Sequence, residues 1–176
     1  MKTVQLGTIS VIHETWLPYA AACLISYCNK IPEIKENYTF NEPLYKYKPV
    51  EEYTELFKTI DVFGLTCYVW NQAYNDQLMS HYKDVNPNGI TMYGGPNIPE
   101  DIELAEQFAK EHPYIDIFWV GPGEKLVSNF LKNIDAPIQT HDGGFGIGWN
   151  NVEVGRKLYQ IETYEMPTPY LDGTFD

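Results

Sequence analysis

The hydrophobic residues of the chain follow two alternating patterns. Short apolar runs predict β-strands buried on both faces, whereas apolar residues three or four positions apart predict amphipathic helices. The strand pattern occurs at Thr3–Ser10, Tyr38–Phe40, Val62–Val69, Gly89–Tyr93 and Tyr114–Val120. The second of these segments is short and weak, which is typical of a strand at the edge of a sheet.

A stretch with helical spacing follows each of these strands. These stretches begin near Pro18, Pro49, Tyr74, Pro99 and Glu124. Alternation of strands and helices predicts a parallel sheet that is covered on both faces. We therefore expect an α/β fold, Rossmann-like or flavodoxin-like, with five parallel strands in the order 2-1-3-4-5 and helices on both faces.

The alternation ends after Asn133. Thr140–Gly148 is rich in glycine, Lys157–Ile161 has a strand-like pattern, and Met166–Asp176 contains two prolines that exclude a helix. We predict one domain over residues 1–134, followed by a β-ribbon and an extended linker over residues 135–176. The tail should pack poorly in the absence of a partner.

Composition and charge exclude several classes of protein. The chain is 44% apolar and 15% aromatic, which is enough for a folded core, and its net charge of −12 argues against nucleic acid or an anionic membrane as partner. It has no apolar stretch near the roughly 18 residues of a membrane span, and no signal-peptide pattern. Cys23, Cys28 and Cys67 are irregularly spaced. This spacing is typical of free thiols in a reducing cytoplasm.

Three loops follow buried strands and should meet at one edge of the sheet. They are Thr66–Asn71, Gly94–Asn97 and Gly121–Glu124. Open α/β sheets bind ligands at the carboxyl ends of their strands, and glycines there let a ligand approach the backbone closely. The loops thus predict a binding site. The alternative, that these glycines only form strand-to-helix turns, stays open.

Four motifs follow one another along the chain: GLTCYVWN, YGGPNIP, YIDIFWVGPGEK and MPTPYLDGTFD. This series resembles the cobalamin-binding domain that precedes the core of cobalamin-dependent radical S-adenosylmethionine (SAM) proteins. The resemblance covers residues 60–176 through these motifs and residues 1–59 through the order of the elements. It implies a Rossmann-like domain that holds cobalamin at the three loops, with the nucleotide tail between the sheet and the helices.

The resemblance also implies which residues bind the cofactor. By their positions in the motifs, Tyr68–Asn71 would lie under the corrin, Gly94–Pro96 near the nucleotide tail, and Gly121–Glu124 on the far side. The complete set is Cys67, Tyr68, Val69, Trp70, Asn71, Gly94, Gly95, Pro96, Gly121, Pro122, Gly123 and Glu124. Pro122 stands where the family has an acidic residue, which removes one carboxylate and one backbone donor.

Two signatures are absent from the sequence. Without an Asp-x-His-x-x-Gly motif we expect no histidine of the protein below cobalt, and without a Cys-x-x-x-Cys-x-x-Cys triplet we expect no iron–sulfur cluster. The chain stops at Asp176, where the catalytic half of the family would begin. The resemblance therefore implies a cobalamin-binding module that is not catalytic alone and works with a radical SAM catalytic domain or partner protein.

Two other functions stay open. A structural or interaction domain could keep the fold without the cofactor, an alternative that Pro122 and the missing catalytic half favour. A flavodoxin-like protein could bind FMN with Thr8–Thr15 as its phosphate loop.

The remaining candidate residues carry weaker signals. His13, His81 and His112 lack the spacing of metal ligands, so we predict no metal site formed by side chains. Thr140–Gly148 has neither a preceding strand nor a following helix, which favours a hairpin over a phosphate loop. Cys67 is predicted to lie at the rim, where it could act as a nucleophile, but the sequence identifies no partner base.

Overall fold

The computed structural model describes residues 1–11, 17–159 and 166–175. Its strands are β1 (Lys2–Gly7), β2 (Tyr38–Phe40), β3 (Val62–Thr66), β4 (Ile90–Gly94), β5 (Ile117–Trp119), β6 (Gly144–Gly146) and β7 (Trp149–Asn150). Its α-helices are α1 (Tyr19–Asn29), α2 (Pro32–Asn37), α3 (Thr54–Phe57), α4 (Gln72–Val85), α5 (Ile102–Glu111), α6 (Gly123–Lys132) and α7 (Val152–Tyr159). Two 3-10 helices cover Val50–Tyr53 and Ile138–Thr140.

The strands form one sheet in the order β2-β1-β3-β4-β5-β6-β7. Strands β1 to β5 are parallel, so the predicted α/β fold and the order 2-1-3-4-5 are confirmed. The predicted ribbon is present as β6 and β7, and it extends the sheet because β6 pairs antiparallel with β5. The division of the chain at residue 134 stays a prediction, since strand pairing does not test whether two parts fold separately.

The structure corrects several predicted helix and strand boundaries. Strand β3 ends at Thr66 rather than Val69, because the amide of Tyr68 bonds the side chain of Asn71 and turns the chain out of the sheet. The strand-like interpretation of Lys157–Ile161 was wrong for residues 157–159, which form the end of α7. Residues 160 and 161 lie outside the described part of the chain. Helix α2 was missed, although its first residue, Pro32, is well suited to a first helical turn.

Helices cover both faces of the sheet. On one face, α1 and α6 pack over Leu6, Met92 and Ile117. On the other face, α3, α4, α5 and α7 enclose a larger core that includes Phe63 and Phe118. Strand β3 is apolar up to its last residue, Thr66, because it contributes side chains to both cores. No helix in the described residues combines the length and hydrophobicity that a membrane span requires.

The described part of the C-terminal tail packs on the body of the protein. Pro167 and Pro169 are buried, and the ring of Tyr170 stacks on Tyr19 at a centroid distance of 5.7 Å. The prediction that this tail packs poorly was therefore wrong for Pro167 and Pro169, whereas Met166, Tyr170 and Leu171 are exposed. The prolines that exclude a helix also offer apolar surface and restrict the unfolded chain, and both effects favour docking.

Candidate functional site

A cavity of about 440 Å³ lies between α1, α6 and the carboxyl ends of β1, β3 and β4. Its size falls within the range of roughly 300–1,000 Å³ that is usual for small-molecule sites. The floor is apolar and includes Leu6, Gly64 and Met92, and the helices contribute Leu24 and Val127. The cavity therefore lies at the carboxyl edge of the parallel strands, the edge at which the sequence predicted a binding site.

The structure brings seven of the predicted site residues to this cavity. The lining includes Tyr68, Gly94, Gly95, Pro96, Gly121, Gly123 and Glu124. The other predicted residues, which are absent from this lining, are Cys67, Val69, Trp70, Asn71 and Pro122. The three glycine-containing loops thus converge, although only part of each loop reaches the cavity.

Two loop glycines have a backbone conformation that other residues rarely adopt. Gly95 has φ of +109° and Gly121 has φ of +113°. A Cβ at Gly95 would lie 2.8 Å from Cγ2 of Thr66, whereas a Cβ at Gly121 would meet no atom nearer than 3.9 Å. Gly95 therefore permits the close approach of two loops, and Gly121 leaves open space beside the cavity.

Asn71 holds the loop after β3 in place. Its side chain is fully buried, its Oδ1 accepts from the amide of Tyr68 at 2.8 Å, and its Nδ2 donates to the carbonyls of Ile9 and Thr66. The group that the motif suggested for ligand contact is thus occupied by backbone partners. Its role in this structure is to orient Tyr68 at the cavity.

Three consecutive residues of the same loop, Tyr68, Val69 and Trp70, form an apolar surface beside the cavity. The rings of Tyr68 and Trp70 stack with centroids 4.4 Å apart and planes 13° apart. Val69 is 77% exposed and Trp70 is 45% exposed. A single exposed apolar residue is ordinary, but two neighbours stacked at a cavity mouth are typical of a ligand or partner surface.

The thiol of Cys67 is buried beneath the loops. Burial raises its pKa to about 12, and the amide of Asn97, which contacts Sγ at 3.9 Å, opposes this increase only in part. A protonated, inaccessible thiol is a poor nucleophile. The interpretation of Cys67 as a nucleophile at the rim was therefore wrong.

A polar cluster lies behind these loops, formed by Gln72, Asp76, Tyr93, Asn97 and His112. Asp76 accepts from the hydroxyl of Tyr93 at 2.9 Å and lies 3.5 Å from Nε2 of His112. Gln72 contacts Nε2 of His112 and accepts from the side chain of Asn97. This polar cluster links the loops after β3 and β4 to the end of α5.

We expect His112 to make stability depend on pH. Burial lowers its pKa, but hydrogen bonds with Asp76 and the carbonyl of Phe108, together with the charges of Asp76 and Glu111, raise it above the ordinary value. The stability that His112 contributes is complete below the unfolded pKa of about 6.5 and is lost as pH rises through the folded pKa. Thermal unfolding of wild type and His112→Gln between pH 6 and 9 should show a steeper decline in the wild type.

The second buried histidine provides an internal control. Burial lowers the pKa of His141, so its effect on stability occurs below pH 6.5, as protonation favours the unfolded state. His141→Gln should therefore leave the slope above pH 7 unchanged. Equal slopes above pH 7 in wild type and His112→Gln would contradict the assignment to His112.

The sequence did not identify the residues that α1 and the sheet floor contribute. Tyr19, Ala20 and Cys23 line the cavity from α1, and Gly64 lies in the floor, where Leu6 and Met92 pack closely against it. A Cβ at Gly64 would lie 2.8 Å from both Leu6 and Met92. Two features of the sequence could have identified these residues: the glycine inside an apolar strand and the run of small residues in α1. Both are typical of positions where another part of the protein or a ligand comes close to the backbone.

The charge of the lining is negative. Glu124, in the first turn of α6, is its only Asp or Glu, and the described residues contribute no lysine, arginine or histidine to it. Among the described side chains, no three that commonly ligate metals lie close enough together to hold an ion. Most of the lining is apolar, so the arrangement favours a ligand with apolar surface.

Comparison with known proteins gives the following relatives. No protein-family model matches the chain. It is 30% identical over 165 residues to the cobalamin-dependent radical SAM methyltransferase TokK of Streptomyces tokunonensis, a match that covers 92% of this chain and 24% of TokK. Identity and coverage are the same for 2-(S-pantetheinyl)-carbapenam-3-carboxylate methyltransferase of Streptantibioticus cattleyicolor.

A solved structure supports the fold. The apo form of the cobalamin-dependent S-adenosylmethionine radical enzyme OxsB superimposes with a TM-score of 0.59 at 17% identity, over 82% of this chain and 20% of that one. The chain spans about a quarter of the length of the curated relatives it matches. The resemblance seen in the motifs is confirmed: the chain is homologous to the N-terminal part of cobalamin-dependent radical SAM methyltransferases.

Proposed function

We propose that this chain is a cobalamin-binding module of a radical SAM system and is not catalytic by itself. The observation that carries the proposal is the cavity at the strand ends, which three glycine loops frame in a chain homologous to cobalamin-dependent methyltransferases. Its sequence contains no Cys-x-x-x-Cys-x-x-Cys triplet, so the iron–sulfur cluster would belong to a separate catalytic domain or partner protein.

The residues present fit such a cofactor. Cobalamin is much larger than the cavity, so only its nucleotide tail would enter, between the sheet and the two helices. Gly94, Gly95 and Pro96 would contact the tail from one side, and Gly121, Gly123 and Glu124 from the other. The absence of a side chain at Gly121 leaves space that a Cβ would begin to fill.

The corrin would lie outside the cavity, against the surface formed by Tyr68, Val69 and Trp70. When bound, cobalamin supplies a cobalt centre that can carry a methyl group. The residues of this chain would orient it and exclude water from one face.

The three described histidines lie away from the cavity lining. His81 bonds Thr54, His112 belongs to the polar cluster, and His141 packs on Phe130. His13 lies outside the described residues. The arrangement supports a site in which the described part of the chain offers cobalt no imidazole.

The FMN alternative is less well supported. FMN and the nucleotide tail of cobalamin both carry a phosphate, which requires positive or amide donors. The described cavity lining has Glu124 and no cation, so its charge does not distinguish the two cofactors. The hydroxyl of Thr8 pairs with that of Thr66 at 3.1 Å, and half of the predicted phosphate loop, Thr8–Thr15, lies outside the described residues. The cofactor-free domain is the alternative that the titration below tests most directly.

The cellular setting is part of the proposal. Cys23, Cys28 and Cys67 are free and buried, as expected for a protein of the reducing cytoplasm. The net charge of −12 disfavours nucleic acid and anionic membranes as partners.

Titration with hydroxocobalamin should change the corrin absorbance, with an apparent Kd in the micromolar range or above, which corresponds to about 8 kcal/mol or less. Trp70→Ala should perturb the corrin bands and weaken binding about fivefold to tenfold, because it removes the stacked, exposed ring at the mouth. Its unfolding temperature should stay within a few degrees of wild type.

Tyr47→Ala is a matched control for this titration. Tyr47 is an exposed aromatic residue that also packs on another ring, that of Tyr74, but it does not line the cavity. Its affinity should equal that of wild type. No spectral change of wild type at excess hydroxocobalamin would establish the cofactor-free interpretation, and binding of FMN instead would support the flavodoxin-like one.

A further inference from the structure

The C-terminal residues 166–175, here called the tail segment, lie against α1 beside the cavity. Met166 is part of the cavity lining. Pro167 and Pro169 are buried, which places the beginning of the tail segment in the packed body of the protein. Part of the cavity lining, Met166, therefore comes from a segment far along the chain from the three loops.

Two side-chain contacts attach the tail segment to α1. Tyr170 stacks on Tyr19 with centroids 5.7 Å apart and planes 25° apart, and Ser26 donates a hydrogen bond to the carboxylate of Asp172. Tyr19 and Ser26 are seven residues apart, so they lie on the same face of the helix, two turns from each other. The tail segment thus follows α1 instead of crossing it at one point.

The carboxylate of Asp172 also organises the tail segment itself. Its Oδ1 accepts from the amide and the hydroxyl of Thr174. Burial acts to raise the pKa of Asp172, but the hydrogen bonds from Ser26 and Thr174 and the charge of Lys30 outweigh it and leave the pKa below its ordinary value. The ionised carboxylate is therefore the form that supports this conformation.

Tyr19 connects these contacts to the cavity. It is the first residue of α1, it lines the cavity, and its ring stacks on that of Tyr170. A ligand that packs on Tyr19 and Met166 would contact both α1 and the tail segment. Any ligand that contacts the docked form more extensively than the undocked form must shift the equilibrium toward docking.

We propose that the tail segment is a binding element of the cavity, so that its docking on α1 and occupancy by the ligand stabilise each other. The identity of the ligand, cobalamin, rests on the proposed function. Coupling of this kind is reciprocal, and a factor of about fivefold to tenfold in affinity is within the usual range. Met166, Tyr170 and Asp172 thereby join the residues that determine affinity.

The test compares two full-length variants that differ within the tail segment. Tyr170→Ser with Asp172→Ala removes both attachments to α1. Leu171→Ser is the matched control, because the side chain of Leu171 is 85% exposed. The backbone amide of Leu171 donates to the carbonyl of Thr168, and this bond does not involve the side chain. Hydrogen–deuterium exchange of the peptide covering the tail segment reports docking, and titration with hydroxocobalamin reports affinity.

Without ligand, the double variant should exchange faster than wild type in the tail segment, and Leu171→Ser should match wild type. With hydroxocobalamin, exchange in the wild-type tail segment should slow further, and the double variant should bind about fivefold to tenfold more weakly. Equal exchange in all three proteins would overturn docking, and equal affinities would overturn coupling.

The two proposals fail in different ways. If wild type shows no spectral change with hydroxocobalamin, the proposed function fails and coupling to that ligand fails with it. The exchange data without ligand would then still decide whether the tail segment docks through Tyr170 and Asp172. If wild type binds hydroxocobalamin and the double variant binds it equally well, only the inference about the tail segment is overturned.

Discussion

Gly95→Ala should be about 2–4 kcal/mol less stable to unfolding than wild type and should bind hydroxocobalamin poorly. The backbone of Gly95 has φ of +109°, which an alanine adopts at a cost in strain. The new Cβ would also lie 2.8 Å from Cγ2 of Thr66 and 2.9 Å from the carbonyl oxygen of Cys67. The second of these is backbone and can move only if the loop after β3 moves.

Variants at two other glycines of these loops allow the effect of backbone strain on stability to be measured apart from the effect of the steric clash. Gly121→Ala introduces strain without a clash, because φ is +113° and the nearest atom to a Cβ is 3.9 Å away. Its expected cost is about 1–2 kcal/mol. Gly94→Ala introduces neither, since φ is not positive and the nearest atom would be 3.8 Å away, and it should cost less than about 1 kcal/mol.

Urea unfolding followed by circular dichroism measures all three variants under the same conditions. The expected order of stability is Gly94→Ala, then Gly121→Ala, then Gly95→Ala. If Gly95→Ala were as stable as Gly94→Ala, the close approach of the loops after β3 and β4 would not be required for folding.

Asn71→Ala should cost about 2–3 kcal/mol of stability. The side chain of Asn71 is fully buried and makes three hydrogen bonds, so its removal leaves the amide of Tyr68 and the carbonyl of Ile9 without that partner. Buried backbone groups without partners are expensive. The loop should also release Tyr68, so affinity for hydroxocobalamin should fall together with stability.

Asn75→Ala is the control, in the first turn of α4, the helix that follows Asn71. Asn75 is equally buried, but it makes one bond, to the carbonyl of Thr66 at 3.2 Å, and that carbonyl also accepts from Asn71. Its Oδ1 is buried without a hydrogen-bond partner among the described residues. Loss of this side chain should cost no more than about 1 kcal/mol. Thermal unfolding measures the stability of both variants. An equal loss of stability in the two would show that burial of the side chain, and not its hydrogen bonds, accounts for the contribution of Asn71.

The C-terminal region shows where pattern reasoning failed. Lys157–Ile161 has a strand-like pattern, yet residues 157–159 belong to α7. That helix can form here because Gly155 lies against Gly143, where a Cβ on Gly155 would approach Cα of Gly143 to 2.2 Å. The contact joins a helix to a hairpin that precedes it. Short-range periodicity does not report such a contact.

The sequence predicted the position of some residues of the candidate site correctly and that of others incorrectly. The motifs correctly indicated that Gly94–Pro96 and Gly121–Glu124 lie near one cavity, because glycine and proline restrict the local backbone and therefore mark turns in the sequence. They did not indicate that Asn71 faces inward or that Cys67 is buried. Whether a loop side chain points to solvent or to the interior depends on partners in other elements, here the carbonyl of Ile9 and the loop after β4.

By itself the sequence determined the α/β class, the five parallel strands and their order, since apolar runs and helical stripes are local features that follow from burial. It also determined the resemblance that the homologues confirm. Only the tertiary structure decided that the ribbon extends the sheet, that α1 forms a wall of the cavity, and that the tail segment docks beside it. These features depend on contacts between residues as far apart as Ser26 and Asp172, which no local pattern encodes.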